Sequence, residues 1–378
     1  MTVSEPESVN PERLVLVGGG HAHALLLNEW GSQISSQARL TVINPAPTAP
    51  YTGMLPGFVA GHYTRAELDY DLVQLTTSAK GHLVQGLVTH VDREAKQVIV
   101  DGHEPIPYDL CSINVGATSQ LPNVAGFAQH AVGAKPLGSF ANRWTEFLEE
   151  LPTSTQEEVD VVVIGGGVAG SELAMAISYR LRHLGMRPRV TVIDRSSVLQ
   201  EVGEKAHAEL LERLYELDVV VRGNTSIERL QSGIVELANG EKLEARLIVG
   251  AAGVRSLPWL SELGLSTTDG FLDVGPTLQT TDDPQIFAVG DCAHMPFAPR
   301  PKAGVFAVRQ APVLAANIEA LLRGSELSNF EPQSDYLKLI SLGRKSAGAD
   351  KFGRFASGPI LWRLKDYIDR KFMNELGD

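Results

Sequence analysis

The sequence predicts an α/β protein with two Rossmann-like domains of the three-layer ββα kind plus a short C-terminal region. Three observations carry this. An apolar strand runs through a glycine-rich turn into an apolar helix near the N-terminus. The same design returns with Gly165 standing 147 residues beyond Gly18, and a Gly-Asp turn closes a third apolar strand at Gly290 and Asp291.

The first unit, residues 13–30 (RLVLVGGGHAHALLLNEW), is followed by the strand ARLTVIN. In such a turn the first glycine permits a tight bend and the second lets the backbone approach a pyrophosphate. The helix N-terminus then offers N–H groups and partial positive charge to that anion. Gly18 and Gly20 fit these roles with Gly19 between them, while His23 stands at the third glycine position and Asn44 where a ribose-binding acid is expected. The second unit, residues 159–177 followed by 189–194, carries the full fingerprint Gly165, Gly167 and Gly170. Asp194 ends its second strand, where a carboxylate holds a ribose 2′-hydroxyl, and Glu172 lies early on the helix. This favours NADH. Arg195 leaves NADPH open, since it can neutralise a 2′-phosphate or stand in solvent.

The third element, residues 281–293 (TDDPQIFAVGDCA), delivers Asp291 at the end of a strand, where a carboxylate can accept from the hydroxyls of a flavin's ribityl chain. Residues 88–110 and 226–253 each alternate and turn like a β-meander, so the two halves share accessory strands, consistent with a duplication. The polar start reads as a disordered tail over 1–12, and the landmarks place one nucleotide-binding unit from residue 13 and a second from residue 159. Residues 151–160 read as a surface connection, and 329–378 as a C-terminal interface or membrane-docking region.

The formal net charge of -12 argues against nucleic-acid binding. The chain contains no run of about 18 uninterrupted apolar residues, and its polar, acidic start is not a signal peptide. Cys111 and Cys292 are the two cysteines and form no CxxC pair, which fits a reducing, cytoplasmic setting. His21 and His23 lack the further ligands of a metal site and are expected to touch phosphate or pack beside a flavin.

The order GGG, GGGVAGSELA, TDDPQIFAVGDCA resembles the pyridine nucleotide-disulfide oxidoreductase superfamily, and residues 50–72 (PYTGMLPGFVAGHYTRAELDYDL) resemble its type II NADH dehydrogenase branch. GGGHAHALLL, YTGMLPG and WRLKDYIDRKFM are similar to the flavoprotein domain that some bacteria fuse to selenophosphate synthetase. The resemblance implies FAD and NADH as cofactors, with an FAD-binding domain split over 13–130 and 271–328 and an NAD(P)H-binding domain over 131–270 inserted in it. It places Met54 and Leu55 near the flavin, with Lys302, Ala303 and Gly304 by the ring and Gln310 further along the helix or on its surface. It carries Val88, Gly116 and Ala117 to the FAD site and Gly253 to the NAD(P)H site. Lys135 corresponds to a lysine that can stabilise reduced flavin, or it is a surface lysine.

Disulfide reductases of this superfamily use a CxxxxC in the first domain, and this chain has no cysteine before Cys111. Electrons must then leave the flavin directly, to a quinone as the resemblance implies. A soluble acceptor, or a flavin redox sensor linked to selenium metabolism, is the alternative. Residues 357–376 read as an amphipathic helix with Leu361, Leu364, Ile368 and Phe372 on one face, among basic residues. It suits an anionic membrane surface, the protein's own core or a homodimer partner.

Overall fold

In the computed structural model the described residues are 11–30, 38–119, 124–151 and 156–377. Most of the expected disordered tail lies outside them, although Glu12 already opens a strand; residues 152–155 of the expected connection also lie outside them. In chain order the elements that build the site are β1 (Glu12–Val17), α1 (His21–Trp30), β2 (Ala38–Asn44), β3 (His82–Gln85), β4 (Leu110–Ile113), β5 (Val132–Gly133), β6 (Glu158–Ile164), α2 (Val168–His183), β7 (Arg187–Ile193), β8 (Val220–Arg222), β9 (Leu247–Gly250), β10 (Ile286–Ala288) and α3 (Gly304–Arg323). The C-terminal part holds β11 (Lys338–Ser341), β12 (Ala347–Lys351), β13 (Arg354–Gly358) and α4 (Pro359–Gly377).

Two parallel five-stranded sheets result, β10-β4-β1-β2-β3 and β5-β9-β6-β7-β8. Their central strands are buried on both faces, which is why β1 and β6 read as unbroken apolar runs rather than alternating ones. The sheets match strand for strand: Leu14 on β1 pairs with Leu110 on β4, as Val161 on β6 pairs with Leu247 on β9. Strand β10 returns to the first sheet after the whole second sheet has been built, so the second half is an insertion. Each expected meander forms a three-stranded antiparallel sheet, from Val88–Asp92 and from Ile227–Gln231.

Helix α3 is long and apolar enough to cross a membrane by length and composition, but half of its apolar window is buried. Leu314, Ala315 and Ile318 belong to the first core, beside Ala22, Leu26 and Leu27 of α1. It is a core helix.

The face expected on the C-terminal helix is divided by the structure. Leu364 and Ile368 are exposed, together with Ile360 and Tyr367, whereas Phe372 is buried with Leu376, Lys365 and Asp369. The charged pair turns inward because each member has partners there. Lys365 Nζ donates to Asp369 at 2.6 Å and to the Gly53 carbonyl at 2.6 Å. A buried ion pair is tolerated when its remaining donors are satisfied, and no apolar periodicity can signal it.

Candidate functional site

The two glycine turns are superposable in their hydrogen bonds. Gly18 N–H donates to the Ile43 carbonyl and Gly165 N–H to that of Ile193, both at 2.8 Å. Their φ values of +90° and +113° require glycine. The next amides, Gly19 and Gly166, donate to Asn44 Oδ1 at 2.9 Å and to Asp194 Oδ2 at 2.7 Å. Asn44 and Asp194 therefore brace their turns from equivalent strand ends. Asn44 also donates to the Ala46 carbonyl at 2.7 Å. Asp194 accepts from Ser196 N–H and Oγ–H. Burial opposes the Asp194 charge, but the Ser196 hydroxyl and the Gly166 and Ser196 amides outweigh it and hold the carboxyl below its usual range. Arg195 beside it is exposed.

At the third position the turns part. A Cβ on Gly170 would lie 1.9 Å from the Gly165 carbonyl oxygen, so helix and strand touch there. In the first turn His23 fills the gap. Its Nδ1 contacts the Gly18 carbonyl at 2.6 Å and must carry the proton, because a carbonyl only accepts. Nε2 then accepts from the Ser112 hydroxyl at 2.8 Å. Burial lowers the His23 pKa to about 4, keeping the ring neutral. The expectation that His23 touches phosphate is corrected: both ring nitrogens are used inside the core. His21 is different. It is also buried, with its pKa lowered to about 4 by burial against the opposing charge of Asp291, but it lies beside Tyr51, Tyr70 and Phe372.

Asn114, which no sequence pattern singles out, knits the first site together. Its Oδ1 accepts from Ala22 N–H at 3.2 Å, and its Nδ2 donates to the Val289 carbonyl at 2.8 Å. It joins the N-terminus of α1 to the ends of β4 and β10. Gln310 is buried rather than on the helix surface, and its Oε1 accepts from Gly290 N–H at 2.7 Å. The Gly-Asp turn is thereby locked to α3.

Around this turn the charged groups gather. Lys135 Nζ bonds Asp291, and Lys135 N–H donates to Ser119 Oγ at 2.8 Å. Lys302 Nζ donates to the Ala293 carbonyl and lies 3.9 Å from the centre of the Phe271 ring; burial lowers its pKa. Ala303 caps α3, whose first residue, Gly304, approaches Thr52 Oγ1 and His21 Nδ1 so closely that a Cβ would stand 3.1 and 3.3 Å from them. Gly116, at φ +71°, has open space where a side chain would be, and Ala117 beyond it is buried. Two helix N-termini and two lysines thus face one region as donors beside one accepting carboxylate, a set that fits a flavin with its phosphates and ribityl hydroxyls.

Met54 and Leu55 bury their side chains in the second core. Val88 begins the first meander, opposite Val100, just after Gly86, whose amide donates to the Asn44 carbonyl. Glu172 accepts from Ser341 N–H at 2.6 Å, tying α2 to β11 rather than meeting the glycine turn. Burial, partly offset by that bond, raises its pKa to about 7. Gly253 follows β9 at φ +97°. Sequence reasoning missed Glu201, an exposed residue whose Oε1 accepts from Val168 N–H at 2.6 Å, at the mouth of the second turn.

Neither cysteine offers a redox thiol. Both are buried; burial raises Cys111, and it pushes Cys292 up to about 11.

The family model for pyridine nucleotide-disulphide oxidoreductases matches residues 12–311. The chain belongs to that family. Among similar proteins, a type II NADH:quinone oxidoreductase of Haemophilus influenzae is 27% identical over 402 residues, covering 92% of this chain and 89% of that protein. A demethylphylloquinone reductase of Synechocystis sp. is 24% identical over 379 residues, covering 95% and 92%. NDH2 of Plasmodium falciparum, solved in complex with NADH, shares the fold at TM-score 0.80 and 15% identity, covering 97% of each chain. In this member of the oxidoreductase family the fold is kept, and a CxxxxC is absent from the first domain.

Proposed function

We propose that the protein is an FAD-dependent NADH:quinone oxidoreductase that passes electrons from the flavin to its acceptor without a thiol relay. The observation that carries this is the pairing of two glycine turns, one beside Lys135, Asp291 and Lys302 and the other beside Asp194, in a chain whose two thiols are buried. The relatives named for NADH and for quinone substrates support it.

When bound, FAD supplies the acceptance of hydride from a nicotinamide and the delivery of electrons to a quinone. The chain's residues bind and orient. The turn Gly18–Gly19–Gly20 and the N-terminus of α1 hold the dinucleotide phosphates, and Asn44 keeps the turn in shape. Gly116, Ala117, Gly290 and Asp291 line the ribityl side, and Lys135 puts positive charge beside Asp291. On the other domain Gly165 makes the tight turn, Gly170 lets helix and strand close, Gly167 lets the pyrophosphate approach the start of α2, and Asp194 takes the ribose hydroxyl. An anionic carboxyl at that place favours NADH over NADPH.

The outward stripe Ile360, Leu364, Tyr367 and Ile368, flanked by Arg363 and Lys371, supports peripheral contact with an anionic membrane, where a quinone resides. Vesicle flotation tests this: Leu364→Glu with Ile368→Glu should release the protein, whereas dimer dissociation by the same pair would assign the stripe to a second copy.

Anaerobic absorbance after mixing tests the activity. Fast bleaching by NADH and fast reoxidation by a menaquinone or ubiquinone analogue are expected. Bleaching without reoxidation by quinone moves the acceptor to a soluble species, and failure to bleach rejects hydride transfer.

A further inference from the structure

We infer that Glu201 is a displaceable internal anion that competes with the pyrophosphate of the dinucleotide and so speeds its exchange; this rests on the NADH reading above. Helix α2 is 16 residues long, with Gly167 as its N-cap, and no side chain of the cap bonds its first amides. Glu201 supplies what is missing from a distant loop, accepting from Val168 N–H at 2.6 Å. Its Oε1 would stand 2.7 Å from a Cβ on Gly167, the glycine that exists to let a phosphate come close. A carboxylate therefore rests where an anionic ligand is expected, bonded to the group that would bind it.

The first turn shows that this is not a requirement of the fold. There the amides of α1 are met by the neutral side chain of Asn114, at 3.2 and 3.4 Å, from Ala22 and His23. A cofactor that stays bound faces an uncharged amide; a dinucleotide that must leave in every turnover faces a competing charge. The loop is built so that only the side chain needs to move. Leu199 N–H donates to the Gly166 carbonyl at 2.8 Å, and the side chain of Val198 packs against Gly166, so the backbone beside Glu201 stays pinned to the turn. The Glu201 side chain is exposed and can swing into solvent without burying charge. A carboxylate and a pyrophosphate cannot both accept from Val168 N–H without strong repulsion at contact distance. Entry of the dinucleotide displaces Glu201, and its return to Val168 N–H favours departure of the product.

The test uses the flavin-loaded protein and its variants Glu201→Gln and Glu201→Ala. NADH affinity is read by fluorescence and ADP-ribose affinity by calorimetry, with adenosine as the phosphate-free control; dissociation rates come from stopped flow. Removing the charge should tighten NADH and ADP-ribose binding by roughly 2- to 30-fold, the span of a helix-terminus anion interaction. Most of the gain should appear as slower dissociation, with adenosine binding unchanged. Matching thermal midpoints show that the variants fold. Equal or weaker binding of NADH in both variants would overturn the inference. Wild-type protein that binds neither NADH nor ADP-ribose overturns the NADH reading itself, and the inference with it.

Discussion

The two glycine turns share a backbone and differ in what surrounds it. The first is packed with titratable and polar side chains: His23 under the helix, His21 at its start, Asn114 across its amides and Asn44 at the strand end. The second is nearly bare, with Gly170 against Gly165, and a carboxylate at each end from Asp194 and Glu201. The same fold therefore makes one turn that is built into the protein's core and one whose mouth is held by an exposed side chain. The lesson is that a glycine fingerprint reports backbone geometry, while the side chains that replace or face it set the charge and packing a ligand meets.

Acid should separate the halves most strongly. His21 and His23 have folded pKa values of about 4, below the ordinary 6.5. In the unfolded chain they take up protons as pH falls through 6.5, and in the folded chain they do not. Their contribution is thus fully present above pH 6.5 and lost as pH falls towards 4, at about 3 kcal/mol for each ring. Hydrogen exchange at pH 5 should expose α1 and β4 before α2 and β9. Simultaneous opening of both halves would break the comparison.

Exchanging the third position is the next largest effect. His23→Gly leaves a cavity and strips partners from the Gly18 carbonyl and the Ser112 hydroxyl, so urea unfolding should show a loss of about 3 kcal/mol. Gly170→Ala pushes a methyl group to within 1.9 Å of the Gly165 oxygen. Helix α2 must shift, at a cost of about 2 kcal/mol, with NADH affinity falling as the turn distorts. Restoring the fingerprint in one turn should therefore hurt the protein about as much as breaking it in the other.

Asn114→Asp then makes the first site resemble the second. The carboxylate keeps acceptors for Ala22 and His23 but loses the donor to Val289 and places a negative charge at the start of α1. FAD should be retained about tenfold less tightly, read as flavin content after dialysis. Unchanged flavin content would mean that charge at this terminus is unimportant.

Much of this was legible in the chain. The paired strand–glycine–helix units and the Gly-Asp turn define both sheets because apolar periodicity and glycine placement are local. The long-range partners were not legible. Asn114 stands 91 and 92 residues from the amides it caps, and Glu201 33 residues from Val168. No spacing rule links them, since they meet only after the sheet is built. Lys365 and Asp369 failed for another reason: a polar pair on a helix is expected to face water, and here it faces the Gly53 carbonyl. The same inversion put Leu364 and Ile368 outside.

The smallest effect is the most direct comparison of the two strand ends. Asp194→Asn copies Asn44 into the second turn. An amide oxygen can still accept from Gly166 N–H, so the turn should hold, but the amide NH2 then faces the Ser196 N–H, which costs about 1 kcal/mol and lowers the thermal midpoint slightly. What disappears is the full charge that Ser196 and the Gly166 amide stabilise. A neutral amide grips a ribose hydroxyl less well and no longer repels a 2′-phosphate. NADH affinity should fall by about tenfold while NADPH affinity rises, so the ratio of the two changes more than either one. In the reverse swap, Asn44→Asp, the new carboxylate faces the Ala46 carbonyl it used to donate to. That costs about 1 kcal/mol without improving FAD binding. The asparagine is there because its amide must both accept from Gly19 and donate to Ala46, which a carboxylate cannot do.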